Sequence, residues 1–434
     1  LDIAAPGGGI FDNAGFPLGQ PFGLFRQTNG SRFQASAALA NIPEVSFYSH
    51  GIAVADWDND GFCDFLITGF HGRLMLHNEG DGTFTRDLWG LPAESNVWST
   101  SAAFLDLEND GDLDCYITNY VNLQPGEIRE CFVKGNHDVC PPGEYDAVSD
   151  QLLMNNGDGS FQDFSASAGL VEGGKGLAVI TGDLDHDGDC DLYVANDTTP
   201  NLLYINDGSG HLVEQGLISG SALGVTAEAE GSMGVDFADF NMDGFTDIWV
   251  SNYENQSFAM YECRGPRIFQ HVSRVRGITS VGQLFVGFGT SAFDADLDGD
   301  QDIFATNGHV MYHAANSPRK QTPLIFENLR GKLFRNVASQ AGLYASSPHE
   351  GRGLATGDFD LDGRIDVAIS HTDEKLSLLK NVSPIDQPSI NLRLVGRGSN
   401  RDAVGAVIRS SNSSTEIHDI VHLNCGGGSY LSTR

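Results

Sequence analysis

The sequence predicts an all-β chain folded as a β-propeller of seven blades, with six as the alternative. Three observations carry this. An acidic pattern, D-x-D-x-D-G-x-x-D, recurs six times along 434 residues. Each copy lies between two short apolar runs. Asp-Gly and Asn-Gly turns then follow, as at 80–84, 155–161 and 206–210, and these dipeptides between apolar runs mark tight hairpins. The first Asp of successive copies is spaced by 50, 77, 56, 55 and 64 residues. Four short strands per unit at such a period is the arrangement of propeller blades.

The acidic copies run Asp56–Asp64, Asp106–Asp114, Asp183–Asp191, Asp239–Asp247, Asp294–Asp302 and Asp358–Asp366. So many carboxylates in one loop need a cation, and Ca²⁺ takes about 6–8 oxygen ligands in flexible geometry. Positions 1, 3 and 5 supply side chains: Asp56, Asp58 and Asp60; Asp106, Glu108 and Asp110; Asp183, Asp185 and Asp187; Asp239, Asn241 and Asp243; Asp294, Asp296 and Asp298; Asp358, Asp360 and Asp362. Gly at position 6 permits the sharp turn. Position 7 offers its backbone carbonyl, which leaves its side chain free to vary as Phe62, Asp112, Asp189, Phe245, Asp300 and Arg364. Position 9 returns a last carboxylate from Asp64, Asp114, Asp191, Asp247, Asp302 and Asp366. Glu108 and Asn241 replace Asp at position 3 but still offer oxygen, the Asn giving the weaker site. The loop is shorter than an EF-hand, and its flanks read as strands. About six calcium ions are therefore expected.

The first residues, Leu1-Asp2-Ile3-Ala4-Ala5, align with 365–369, and 23–33 match the third-strand hairpin of the other units. The chain thus opens inside a seventh cage, with Asp2 at its last position. The propeller is expected over 1–385 and a small β module over 386–434. Residues 121–150 form an insertion holding Cys131, Cys140, Pro141 and Pro142, and a second excursion spans about 308–323. Loops on a rigid scaffold often carry recognition.

The net charge is −33, which argues against direct binding to nucleic acid or an anionic membrane. Five cages carry four carboxylates at positions 1, 3, 5 and 9 and the fourth carries three, so six Ca²⁺ would leave about −21. No apolar stretch reaches transmembrane length. Of seven cysteines, Cys131 and Cys140 share one loop, and a bridge between them would suit an oxidising compartment. Cys63 and Cys190, at position 8 of their cages, and Cys115, just after another, read as small core residues. Glycosylation sequons stand at Asn29, Asn196, Asn255, Asn381 and Asn412.

The cages and their flanks resemble the FG-GAP/VCBS repeats of integrin α-chain propellers and of many secreted bacterial proteins. The tail, 391–407 followed by Gly426-Gly-Gly-Ser-Tyr-Leu-Ser432, looks like the opening of an ASPIC/UnbV domain. Together these resemble the cartilage acidic protein family and its bacterial relatives, as do the Cys131…Cys140-Pro141-Pro142 insertion and Asn307-Gly308-His309. The resemblance implies a secreted, periplasmic or surface protein with a seven-bladed calcium propeller, which binds or adheres more than it catalyses. The tail departs from the family pattern by stopping before the second half of that module.

The leading functional reading is therefore a non-enzymatic scaffold with a protein or glycan partner. The alternative is a propeller enzyme acting on polysaccharide or phosphoester near His309, using His309, Tyr312, His313, His349 and Arg352. Against it, no nucleophile-elbow, zinc-helix or P-loop signature is present. His309 has a plainer reading, as a blade-edge histidine that satisfies backbone carbonyls. A third reading, calcium buffering or mineral contact, fits the charge but not the regularity of the cages.

Overall fold

The structure is a computed structural model that describes residues 1–434 apart from 13–15, 30–31, 38–39, 88, 90–95, 128, 385–388, 411–419, 431 and 433–434. The expected boundary at 385/386 and the sequon at Asn412 lie outside the described residues.

Seven antiparallel sheets form the seven blades, so the six-bladed alternative falls away. Blade 2 is typical: Tyr48–Ala55, Asp64–Phe70, Gly72–Asn78 and Phe84–Asp87 pair in chain order. Blades 3 to 6 repeat this order, with innermost strands Ser99–Leu105, Gly176–Gly182, Ser232–Ala238 and Gly287–Phe293. Blade 7 has three strands, Gly351–Gly357, Asp366–His371 and Ser377–Leu379. Blade 1 pairs Ile3–Ala5, Gly23–Asn29 and Arg32–Ala35, the equivalents of second, third and fourth strands elsewhere. The ring closes where Gln27 donates to the Phe359 carbonyl and Phe33 meets Phe359 edge-on at 5.8 Å.

The inner and second strands of blades 3, 4 and 5 are buried along their whole length, so they lack the polar alternation of a half-exposed strand. Hydroxyls stitch neighbouring blades together. Thr68 donates to the Thr100 carbonyl at 2.6 Å, Thr100 to Gly176 at 2.7 Å, Ser251 to Phe288 at 2.8 Å and Thr306 to Arg352 at 2.8 Å. Large aromatics fill the wedges between blades. Trp89 stacks on Phe161 at 4.0 Å and meets Trp57 edge-on at 4.8 Å.

The C-terminal segment threads the hub. Its hairpin, Val407–Ser410 with Ile420–Leu423, lies on the cage face, where the Val421 amide donates to Asp239 at 3.2 Å. Gly426–Gly427 then pairs with the inner strand of blade 4, and Ser429 bridges Val235 of blade 5. Ser429 Oγ accepts from the Thr290 amide of blade 6 at 3.0 Å, and Ser432 Oγ from Leu354 of blade 7 at 3.1 Å. Tyr430 packs on Phe288 at 4.9 Å near the other mouth. The inner strands of the propeller thus supply the partners of this segment.

Candidate metal sites and the opposite face

Each cage is a turn between the first and second strands, and its carboxylates are drawn inward by backbone amides. Position 6 takes the left-handed conformation that glycine allows, with φ between 87° and 101° in all six. Its amide donates to the position-1 carboxylate at 2.8–3.2 Å, from Gly61, Gly111, Gly188, Gly244, Gly299 and Gly363. The position-7 amide donates to the position-5 carboxylate at 2.8–3.2 Å in every copy. Three acidic triads, Asp56/Asp58/Asp60, Asp183/Asp185/Asp191 and Asp294/Asp296/Asp302, bring one oxygen from each residue within 4.8 Å of the others, and Asp58 and Asp64 do so with His77.

Position 9 ties the cage to the third strand. One oxygen accepts the amide of Asn78, Asn155, Asn206, Cys263, Asn328 or Asn381 at 2.7–3.0 Å. Asp2 accepts the Gln27 amide in the same manner at 3.0 Å, which places it where the sequence alignment put it. These carboxylates are buried among like charges. Burial first, and neighbouring cage acids second, push Asp64, Asp114 and Asp302 up to about 8 and hold Asp191 and Asp247 well above the ordinary carboxylate range. At position 1, burial raises Asp56, Asp183 and Asp239 to about 6. Carboxylates held together in this way are a donor set that a cation of the calcium class could use. Basic side chains answer part of the demand: Arg267 pairs with Asp185 and Asp187, Lys380 and Arg364 with Asp362, and Arg401 with Asp56 at 3.5 Å.

Position-7 side chains have varied tasks, and Arg364 turns back onto position 5 of its own cage. Asp300 accepts the Arg330 amide at 2.8 Å, and Asp112 accepts the Asn59 amide group of the preceding cage at 3.3 Å. Phe62 and Phe245 are exposed.

Sequence reasoning missed two features. Position 4 is left-handed in every cage without being glycine: Asn59, Asn109, His186, Met242, Leu297 and Leu361 all have φ between 57° and 64°. Only the two asparagines hint at it. The asparagine that ends the third strand is a clasp between blades. Asn155, Asn206, Asn328 and Asn381 donate to the position-2 carbonyl of the previous blade's cage (Trp57, Leu107, Phe240 and Ala295) at 2.7–2.9 Å. The recurrent Asn before each hairpin turn was the available signal. Asn381 and Asn196 are engaged through their amide nitrogens, which removes two sequons from the accessible set. Cys63 corrects another expectation: it is exposed, whereas Cys115 and Cys190 are buried as expected.

The segments after the second strands and before the first emerge on the face opposite the cages. Here the insertion is held by a disulfide between Cys131 and Cys140, whose Cα atoms are 5.1 Å apart. Its hairpin, Cys131–Val133 with Asn136–Asp138, leans toward blade 6, where buried Asp138 accepts the amides of Tyr312 at 2.9 Å and His313 at 2.7 Å. Phe132 stands exposed on this hairpin, and Tyr312 lies exposed under the Arg319 guanidinium at 3.9 Å. Arg352 sits 4.2 Å over Phe288 and donates to the Gly308 and Gly351 carbonyls.

The five residues named for catalysis do not converge. His309 is fully buried. Its Nδ1 accepts the Met311 amide at 2.9 Å, and its Nε2 faces Tyr253 at 3.3 Å and Glu254 at 3.6 Å. The expected carbonyl partner is replaced by a backbone amide, since the ring accepts at Nδ1. Burial lowers its proton affinity. His349 belongs to a separate group with His371 and Glu374. A cavity of about 340 Å³ lies elsewhere, on the cage face, where Asp56 and Cys63 meet Arg393, Arg401 and Asp402.

Comparison with known proteins agrees with this geometry. A model described as an FG-GAP-like repeat matches residues 56–117 and 183–250. The chain is 26% identical over 347 residues to cartilage acidic protein 1 of Homo sapiens, covering 74% of this chain and 47% of that protein. Its counterpart in Xenopus tropicalis is 27% identical over 341 residues, covering 74% and 48%. The chain thus spans about half the length of these curated relatives. Among solved structures, the BP39L lectin of Burkholderia pseudomallei matches with a TM-score of 0.52 and 10% identity, over 88% of this chain and 98% of that one, which is a likeness of fold.

Proposed function

We propose that this homologue of cartilage acidic protein 1, built on FG-GAP-like repeats, is a calcium-stabilised, non-enzymatic binding propeller that works outside the cytoplasm. The observation that carries the reading is the cage, repeated six times with the same amide-to-carboxylate wiring and with position-9 carboxylates strained by burial. Calcium would be held at positions 1, 3, 5 and 9 of each cage with the carbonyl of position 7. It would neutralise the buried charge and pin the first hairpin of every blade. The metal is then structural, and recognition falls to the opposite face.

That face suits binding better than turnover. Its insertion is tied by a disulfide, in keeping with an oxidising compartment, and presents exposed Phe132 on the hairpin whose Asp138 holds the Tyr312 amide, while Tyr312 lies under Arg319. Aromatic and arginine side chains on a rigid support are the groups enriched at interface hot spots and, for the aromatics, at sugar-stacking surfaces. The buried state of His309 speaks against a proton-transfer role there.

The test is a screen of calcium-loaded protein on glycan arrays and extracellular matrix proteins, run against Phe132→Ser and Tyr312→Ala variants. Saturable binding that EDTA abolishes and the two variants weaken at least tenfold is expected. Hydrolysis or elimination of a polysaccharide or phosphoester by the wild type, lost in His309→Ala, would overturn the reading.

A further inference from the structure

Away from both the cages and the Phe132 hairpin, blade 7 assembles a cluster of different chemistry. His349 lies just before its inner strand, His371 ends its second strand, and Glu374 sits in the following turn. One imidazole nitrogen of each histidine and one oxygen of Glu374 lie within 4.8 Å of one another. Three segments of one blade converge here, and the strand pairing that fixes them is direct, since Gly351 pairs with His371.

The hydrogen bonds around the two rings define their tautomers. His349 Nδ1 faces a Glu374 carboxylate oxygen at 2.8 Å, and His371 Nδ1 faces the Lys375 carbonyl at 3.0 Å. Both oxygens only accept, so each Nδ1 carries the hydrogen and each neutral ring keeps its lone pair on Nε2. His349 Nε2 is buried with no partner at all. His371 Nε2 accepts from the Tyr344 hydroxyl at 2.6 Å. Tyr344 also stacks flat on His349 at 4.1 Å, and its ring and the His349 ring are within 10° of parallel. His349 Nε2 is thus open and His371 Nε2 is capped only by the Tyr344 hydroxyl, whereas a Glu374 oxygen that takes an ion has to leave His349 Nδ1. Lys320 pairs with the other oxygen of Glu374 at 2.5 Å and holds that side chain in place.

We infer that His349, His371 and Glu374 form a transition-metal site, of zinc type, with Tyr344 at its edge. Imidazole nitrogens select zinc, copper or nickel, whereas calcium takes oxygen alone, so this site and the cages divide the two classes of ion. A zinc ion with ligands at about 2.0–2.1 Å requires the three donor atoms to close to roughly 3.3 Å apart, a contraction of up to about 1.5 Å from separations that lie within 4.8 Å. The Glu374 turn and the loop carrying His349 are the segments that can supply it. A metal here would tie the turn of the second strand to the entry of the first. It would thereby lock blade 7, which has three strands among the described residues where the sheets of blades 2 to 6 have four or five.

The experiment uses untagged protein in saturating calcium, so that the acidic cages are filled. Zn²⁺ is titrated by calorimetry, and Co²⁺ by its visible absorption. One zinc per chain is expected, with a Co²⁺ spectrum of nitrogen-ligated, low-coordinate type. Affinity should fall at least tenfold in His371→Ala and at least tenfold in Glu374→Gln. The calcium-dependent melting transition, measured in parallel, reports whether each variant is folded. A wild type that takes up no zinc above its calcium-loaded background and gives only the spectrum of hydrated Co²⁺ would overturn the assignment. So would zinc uptake unchanged in both folded variants, which would place the ion elsewhere.

Discussion

One added methyl group at Gly426 should expel the C-terminal segment from the hub. A β-carbon at this residue would lie 1.8 Å from the Phe104 carbonyl oxygen and 2.8 Å from Thr181 Oγ1. The first is backbone of blade 3, and neither blade 3 nor blade 4 can retreat without opening the ring. In Gly426→Ala the tail must therefore give way. Six hydrogen bonds then go with it. Gly426 donates to Thr181 and accepts from it, Gly428 donates to Val179, Ser429 and Val235 exchange two bonds, and Thr290 donates to Ser429 Oγ. At a net worth of about 1 kcal/mol each, these set a ceiling near 6 kcal/mol, and the steric conflict alone sets a floor of about 1–3 kcal/mol. Hydrogen exchange read by mass spectrometry, on peptides covering 176–182, 232–238 and 423–430, is the assay. The account predicts faster exchange in all three segments of the variant and a melting temperature lower by several degrees. Wild-type protection at all three with unchanged melting would show that the tail does not fill the hub as described.

Further outcomes follow from the cages, the blade contacts and the buried acids. Asp247→Asn should bind one calcium fewer and melt lower in calcium. In EDTA near pH 7 it should melt no lower than wild type, because burial disfavours the ion-free Asp247 carboxylate; a variant less stable under both conditions would contradict this. Asn206→Ala removes the clasp to the Leu107 carbonyl and leaves that buried oxygen unpaired, at a cost of about 1–3 kcal/mol by denaturant titration, whereas a loss below about 0.5 kcal/mol would deny the clasp. Asp150 is buried beneath Tyr116 and the Asn119 amide, and burial raises it from 3.8 to about 7. Its native form therefore holds a proton that the unfolded chain has released across pH 4–7, so stability in saturating calcium falls as pH rises through that window. Asp150→Asn should flatten the slope, with Glu230, raised by burial to about 7, supplying the remainder.

The repeat made much of this fold legible. Six copies of one loop placed every first and second strand, and the match between 1–5 and 365–369 revealed a seventh blade, because strand order and cage spacing are local properties. Asp2 was readable as a cage residue for the same reason, and its bond to Gln27 agrees. What escaped depends on contacts between distant residues. No periodicity in 403–432 says that small residues there thread a channel, since Gly426 and Ser429 earn their places only against Phe104 and Thr290, far away in the chain. The clasp of Asn206 was hidden behind the turn chemistry that also favours asparagine. Cys63 shared position 8 with Cys190, yet one is exposed and the other buried, because burial there is set by what packs over each cage and not by the cage. The five histidine, tyrosine and arginine residues named for the enzyme reading were drawn together by residue type alone, and their separation into a buried His309 and a distinct His349 cluster required the three-dimensional arrangement.

The most direct test of the central claim is calcium titration of chelator-stripped protein by calorimetry, with melting curves recorded in EDTA and in about millimolar Ca²⁺. The account predicts uptake of about six ions per chain and a large rise in melting temperature, as expected of a ligand that binds only the native state. Uptake of one ion or none, with the same melting temperature in EDTA and in calcium, would reduce the cages to acidic turns and contradict the account.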